Sequence, residues 1–472
     1  MAVRLVVVLP LLALMVASSW AGRAGGYERR EEEEAREQFG EGGGGGREGL
    51  FMMERSTQVV KTEAGEVRVV RGLGWKGGPA PLHMGFISME PNSLFLPHYM
   101  DASLILFIRR GDAKVGLIYE DGLVEKQLGI GDLYWIPAGS TFYIANTGRG
   151  QRLQIICSID TSESLGLYGS NPTSVLAGFD VDTLAAAFNV TSDQMSSVMR
   201  QRQGAIIYMT GDAPERAWIS LPPLLQSKVG YLNPNPIEDD EEEDQGITAA
   251  TDQGKKTWTW RKFLSSIVWK EDVLGKKGGP VRAPDSYNIY DRSPDFSNSY
   301  GWSVALDKHD YAPLKYSGVG VYLVNLTAGS MMAPHVNPTA TEYGVVLRGT
   351  GRVQVVFPNG TSAMDAEVSE GDAFWVPRHF PFCHVASRSG PMEFFGFTTS
   401  ARRNRPQFLV GASSILQTMM GPEMAAAFGT TEERLRAVVD AQRESIILPP
   451  WPREHEMETV VGNLQVTGSA AA

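Results

Sequence analysis

The sequence predicts a mainly β protein: two tandem β-barrels of one design, each followed by a small α-helical lobe. Three observations predict it. The chain repeats itself at an offset of 240 residues: Trp135 and Pro137 in "GIGDLYWIPAGSTF" answer to Trp375 and Pro377 in "SEGDAFWVPRHFPF". "AAAF" at 185–188 returns at 425–428, and "LPHYMDASLILFIRRG" pairs with "APHVNPTATEYGVVLRG" with one residue of slippage. Matches at one offset, spread over more than fifty residues, mark an internal repeat. Second, short β-branched and aromatic runs such as "AKVGLIYEDG" and "RVQVVFPNG" are broken by Gly, Asp, Pro and Asn, the pattern of hairpins in a sandwich or barrel. Third, a helical period follows in each half, at Met195, Val198 and Met199 and again at Leu435, Val438 and Val439. Thr191 with Gln194 and Thr430 with Glu433 have the spacing of helix-capping pairs.

Taken in order, residues 1–21 read as a secretory signal peptide. Arg4 is the positive start, Leu5 to Ala17 the apolar core, and Ser19-x-Ala21 the small-residue cleavage site. The apolar run is short for a bilayer span, so a soluble protein entering the secretory pathway is expected rather than a membrane anchor. Residues 22–57 are charged and then glycine-rich, too poor in apolar surface to offset the entropy of ordering, and are expected to be disordered or removed. The first barrel and its lobe occupy 58–236. An acidic linker, 237–256, is kept solvated by like-charge repulsion and is open to proteases. The second barrel and lobe occupy 257–451, and a weakly patterned tail, 452–472, is expected to fray or to carry a sorting address.

Composition narrows the function classes. The 472 residues are 43% hydrophobic and 21% charged, ordinary for a soluble globular chain. A net charge of -11 argues against a nucleic-acid partner, which calls for a basic face. Cys157 and Cys383, the two cysteines, fall in different halves, so apolar burial rather than a disulfide framework must hold the fold. Asn189, Asn325 and Asn359 each begin an Asn-x-Ser/Thr triplet and are candidate glycosylation sites on the secretory route.

Gly329, His335, Asn337, Glu342 and Gly349 stand at the spacing of the first cupin motif, and Gly371 with Pro377 at the start of the second. Two such domains joined by an acidic linker behind a signal peptide resemble a vicilin-type seed storage globulin, from about Gln58 to Trp451. The resemblance implies two jelly-roll-like cupin barrels and a homotrimer in which the helical lobe of one subunit docks on its neighbour. It also implies a nutrient reservoir, not an enzyme, deposited in the protein storage vacuole of seed. Two other readings stay open: a metal-dependent oxidase of the germin-like type, and a protein binding a small carboxylate or a sugar.

Cupin oxidases hold a metal with three histidines and one glutamate, ligands that suit copper, zinc or manganese. In the first copy only His98 matches; Met100 and Phe142 stand at two other histidine positions, and no glutamate follows before Gly111. This half is read as structural. In the second copy His335 and Glu342 match, Asn337 replaces a histidine, His379 stands at a glycine position, and Phe382 takes another histidine position. Strand alternation puts His384 on the face of Phe382 and turns Cys383 away; a bulge would reverse that. The candidates for one transition metal ion are therefore His335, His384 and either Glu342 or Cys383. Equally open is a metal-free reading, in which His335 and Glu342 are a buried, hydrogen-bonded polar pair.

Overall fold

The computed structural model describes residues 49–53, 56–72, 82–119, 122–160, 179–199, 204–209 and 283–450. The stretches read as signal peptide, acidic linker and C-terminal tail, together with most of 22–57, lie outside the described residues.

The first barrel begins with β1 (Ser56–Thr62), β2 (Gly65–Val70), β3 (Leu82–Met89), β4 (Ser93–Tyr99) and β5 (Ser103–Arg110). It continues with β6 (Ala113–Tyr119), β7 (Gly122–Leu128), β8 (Asp132–Ile136), β9 (Thr141–Asn146) and β10 (Leu153–Asp160). Helices α1 (Val181–Phe188) and α2 (Ser192–Met199) form its lobe, before β11 (Ile206–Tyr208) returns to the barrel. The second half opens with β12 (Tyr287–Asn288), β13 (Phe296–Asn298), β14 (Gly301–Leu306), the short α3 (Leu314–Ser317) and β15 (Gly320–Leu326). Then come β16 (Met331–Val336), β17 (Glu342–Arg348), β18 (Thr350–Val356), β19 (Ser362–Ser369) and β20 (Ala373–Val376). β21 (Pro381–Ala386), β22 (Met392–Thr398) and β23 (Gln407–Phe408) lead to the second lobe. That lobe is α4 (Ile415–Thr418), α5 (Pro422–Ala427) and α6 (Glu432–Val439), closed by β24 (Ile447–Leu448).

Each barrel is two antiparallel sheets face to face. The first has the orders β1-β2-β3-β10-β5-β8-β12 and β11-β4-β9-β6-β7; the second has β13-β14-β15-β22-β17-β20 and β19-β18-β21-β16-β23. The first-named sheet of each barrel carries apolar residues on both faces, because one face fills its own barrel and the other meets the other barrel. In β5, Leu104, Leu106 and Ile108 belong to the first barrel's interior. Ile105 and Phe107 join the core of the second barrel. Phe107 stacks on Phe395 of β22 with centroids 3.9 Å apart. The predicted mainly β, two-barrel architecture is therefore present, welded through these two sheets.

The lobes have small cores of their own. Leu184, Ala185 and Met195 cluster in the first, and Met424, Ala425 and Leu435 in the second. Thr191 and Gln194 form the expected reciprocal cap, Thr191 N–H donating to Gln194 and Gln194 N–H to Thr191. In the second lobe the cap lies one residue later than expected: Thr431, not Thr430, accepts from the Arg434 N–H. The Thr430 amide is taken by the Ala425 carbonyl, which closes the preceding helix. Val198 and Val438, predicted with the apolar faces, are exposed.

Candidate functional site

The second barrel gathers the motif residues on β16, β17 and β21. His335 on β16 is paired with Phe382 on β21, and their rings lie 4.1 Å apart. Its Nδ1 lies 2.8 Å from the Ala333 carbonyl oxygen, and Phe408 covers it from the side. A bulge between Met332 and His335 bends β16 at this point. β21 runs in regular register against β18, with Val353 opposite His384 and Gln354 opposite Cys383. Alternation therefore holds: His384 shares the interior face with Phe382. Cys383 faces away, its Sγ 3.5 Å from Gln354 Oε1 near Asp365 and Arg352, and burial pushes its thiol up to about 11.

Glu342, at the head of β17, is buried and already engaged. Asn337 Nδ2 donates to its Oε2 at 2.7 Å, and Asn404 Nδ2 in turn donates to Asn337 Oδ1 at 2.8 Å. The Tyr322 hydroxyl, which donates to the Tyr343 carbonyl oxygen at 3.2 Å, is also hydrogen-bonded to the Glu342 carboxyl. Burial outweighs these bonds and raises Glu342 to about 7. Burial also lowers His335, to about 4, and holds His384 well below the usual imidazole range, with His335 adding to the effect. Near neutral pH both imidazoles are uncharged.

The expected ligand set does not assemble. Among the described residues no three His, Cys, Asp or Glu side chains are gathered closely enough to hold a metal ion. Cys383 is on the wrong face, and Glu342 is tied to Asn337 and Tyr322 rather than paired with His335 as the metal-free reading expected. His335 and His384 remain. His384 is fully buried among Phe374, Phe382 and Phe394, and neither ring nitrogen has a hydrogen-bond partner. A catalytic ion needs more donors than two imidazoles, so the residues present do not fit an oxidase centre.

Sequence reasoning missed Tyr322 and Asn404, which complete the polar network, and Phe394 and Phe408, which wall it. They come from strands and a loop whose spacing to the motif has no local signature.

The first barrel repeats the frame without the chemistry. His98 sits between Phe95 and Phe142, with Nδ1 2.9 Å from the Leu96 carbonyl oxygen, as His335 does with Phe382 and Ala333. The ladders that place Glu342 opposite Val376 and Val353 opposite His384 place Leu104 opposite Ile136 and Val115 opposite Ile144. Buried Leu104 and Ile144 thus stand where the second barrel has Glu342 and His384.

The sequence matches the cupin family over residues 53–196 and 287–436. It is 52% identical over 414 residues to a vicilin-like seed storage protein of Arabidopsis thaliana, covering 85% of this chain and 81% of the relative. The fold is similar to that of the vicilin of Corylus avellana, with a TM-score of 0.65 at 20% identity, over 85% of this chain and 99% of that one. It is also similar to a vicilin of Solanum melongena whose structure revealed different anionic ligands in structurally similar pockets. There the TM-score is 0.66 at 19% identity, over 85% of this chain and 98% of that one.

Proposed function

The chain belongs to the cupin family, among the vicilin-like seed storage proteins, and from that premise we propose a catalytically silent nutrient reservoir. One observation carries the absence of turnover: the Glu342 carboxyl is bound by Asn337 and Tyr322, so no carboxylate stands ready beside the two imidazoles. A copper, zinc or manganese ion in this barrel would have to rely on His335 and His384. The storage reading is tested by quantifying the protein through seed filling and germination. It should accumulate to abundance in the seed and disappear on germination. A scarce, persistent protein would overturn the reading, as would oxygen uptake with oxalate by the manganese-loaded protein above the metal blank.

Delivery through the secretory pathway to the storage vacuole goes with that role. The homotrimer has support in the lobes. Phe188 is 54% exposed and Phe428, at the equivalent place in the second lobe, 46%. Val198 and Val438 are exposed in the same relationship. Two matched apolar faces, one on each lobe, suit a heterologous, head-to-tail contact that closes into a ring. Replacing Phe188 and Phe428 by Asp should reduce the particle to one chain in light scattering, and an unchanged mass would count against lobe docking.

Of the small ligands, an anionic carboxylate has better support than a sugar. His384 has an unused N–H donor within an aromatic wall, and the Solanum melongena vicilin carries anionic ligands. A rise in melting temperature with small carboxylates, absent in His384→Ile, tests this.

A further inference from the structure

The segment that precedes each barrel is built into the other barrel. Ahead of the first barrel, Met52 bridges to Phe374 in β20. The Met53 amide donates to the Ala373 carbonyl at 2.8 Å, and the Trp375 amide donates to the Phe51 carbonyl at 3.0 Å. Phe51 is completely buried in the second barrel's core, edge-on to Trp375 at 5.4 Å and to Phe380 at 5.5 Å. Ahead of the second barrel, β12 pairs with β8: Tyr287 opposite Leu133 and Asn288 opposite Asp132. The Asn288 amide group donates to the Ile130 carbonyl and to Asp132, the Ile289 N–H donates to the Gly131 carbonyl, and Asp285 pairs with Lys126 at 2.7 Å.

β8 and β20 hold the same place in their barrels, each next to the strand that carries Leu104 or Glu342. Each would otherwise present a bare edge of N–H and C=O groups. In both cases backbone from ahead of the opposite barrel covers that edge. One arm is anchored by Phe51, the other by polar contacts together with the fully buried Ile289.

We propose that these exchanged arms are a reciprocal clasp. It adds to the sheet-to-sheet contact that holds the barrels together after a cut between them, and it makes residues 49–53 a stabilising part of the second barrel although they lie at the head of the first. A cut in the acidic stretch 237–256 leaves two fragments, each holding a strand of the other. Loss of the 49–53 arm instead uncovers β20 and the Trp375 side of the core.

The test uses the full-length chain with a site for a sequence-specific protease placed within 237–256. After complete cutting, the two fragments should co-elute at the size of the uncut protein. Hydrogen exchange then reads each arm separately. In Phe51→Ala, the Trp375 amide should exchange about ten-fold faster, with the amides of β5 unchanged. Phe51→Leu, which keeps an apolar anchor and guards against misfolding, should give a smaller rise at the same amide. Asn288→Ala should speed exchange in β8 and leave Trp375 as it was. Fragments that separate on cutting would overturn the clasp, as would a Trp375 amide indifferent to both Phe51 variants. Exchange rising equally in both barrels for every variant would also overturn it.

Discussion

The imidazole of His384 lies almost parallel to the ring of Phe394, centroids 4.3 Å apart and planes within 29°, and neither of its nitrogens has a hydrogen-bond partner. Ile144 fills the equivalent place in the first barrel. An unpartnered buried polar group costs more than an apolar one of similar size. His384→Ile should therefore raise stability by about 1 kcal/mol and the melting temperature by a few degrees. A fall in melting temperature, accompanied by loss of a bound ion or anion, would show that the ring earns its place as a ligand.

The pH dependence separates Glu342 from His335. Glu342 is raised to about 7, so the fold keeps a proton that the unfolded chain releases. Its contribution is fully present below the ordinary carboxyl range and is lost as pH rises toward 7. His335 is lowered to about 4, so the unfolded chain takes a proton that the fold refuses. Its contribution is present above the ordinary imidazole value and is lost as pH falls toward 4. The two slopes oppose each other from about pH 4.5 to 6.5, each amounting to at most about 3 kcal/mol. Glu342→Gln should make the melting temperature climb more steeply with pH over that window than in the native chain. Identical slopes would refute the assignment.

His379 adopts φ 75 where the first barrel has Gly139 at φ 73. The left-handed region disfavours a side chain, while glycine enters it freely at some entropic cost. The His379 side chain is exposed, and its amide bond to the Asn337 carbonyl survives any substitution except proline. His379→Gly should stabilise the chain by about 0.5–1 kcal/mol, read from urea midpoints at constant m. A loss of stability would mean that the ring has a partner worth more than the strain.

The three glycosylation triplets differ in place. Asn359 is exposed in the turn between β18 and β19, and Asn189 is exposed at the end of α1. Asn325 is half-buried within β15, between Trp302 and Glu393. It shares the sheet face of Phe395, which is turned toward the first barrel. Protein from a secretory host, treated with a glycan-removing amidase in heavy-oxygen water, should show label at Asn359 and none at Asn325. Label at Asn325 would contradict this packing.

Much of this site could be read from the chain because its signals are local. The spacing from Gly329 to Gly349 located His335, Asn337 and Glu342, and strand alternation put His384 inside and Cys383 outside. The displaced helix cap at Thr431 shows the limit of that reading. Thr430 and Thr431 are chemically alike, and the choice between them fell to the Ala425 carbonyl of the preceding helix. Likewise the spacing suggested that Glu342 pairs with His335 or a metal, whereas the fold gave it Asn337 and Tyr322.

The sequence by itself determined the doubled mainly β design, the lobes, the family and the emptied chemistry of the first barrel. The doubling is written in a repeat 240 residues long, and the rest in residue types at short separations, where backbone geometry leaves little choice. Only the tertiary structure decided which partners close the Glu342 network, why His384 is left without any, and whose arm seals each barrel. Those outcomes depend on contacts between distant segments, such as Phe51 with Trp375. Such contacts are settled by which buried surfaces and bare strand edges can be covered together, and no local pattern records that.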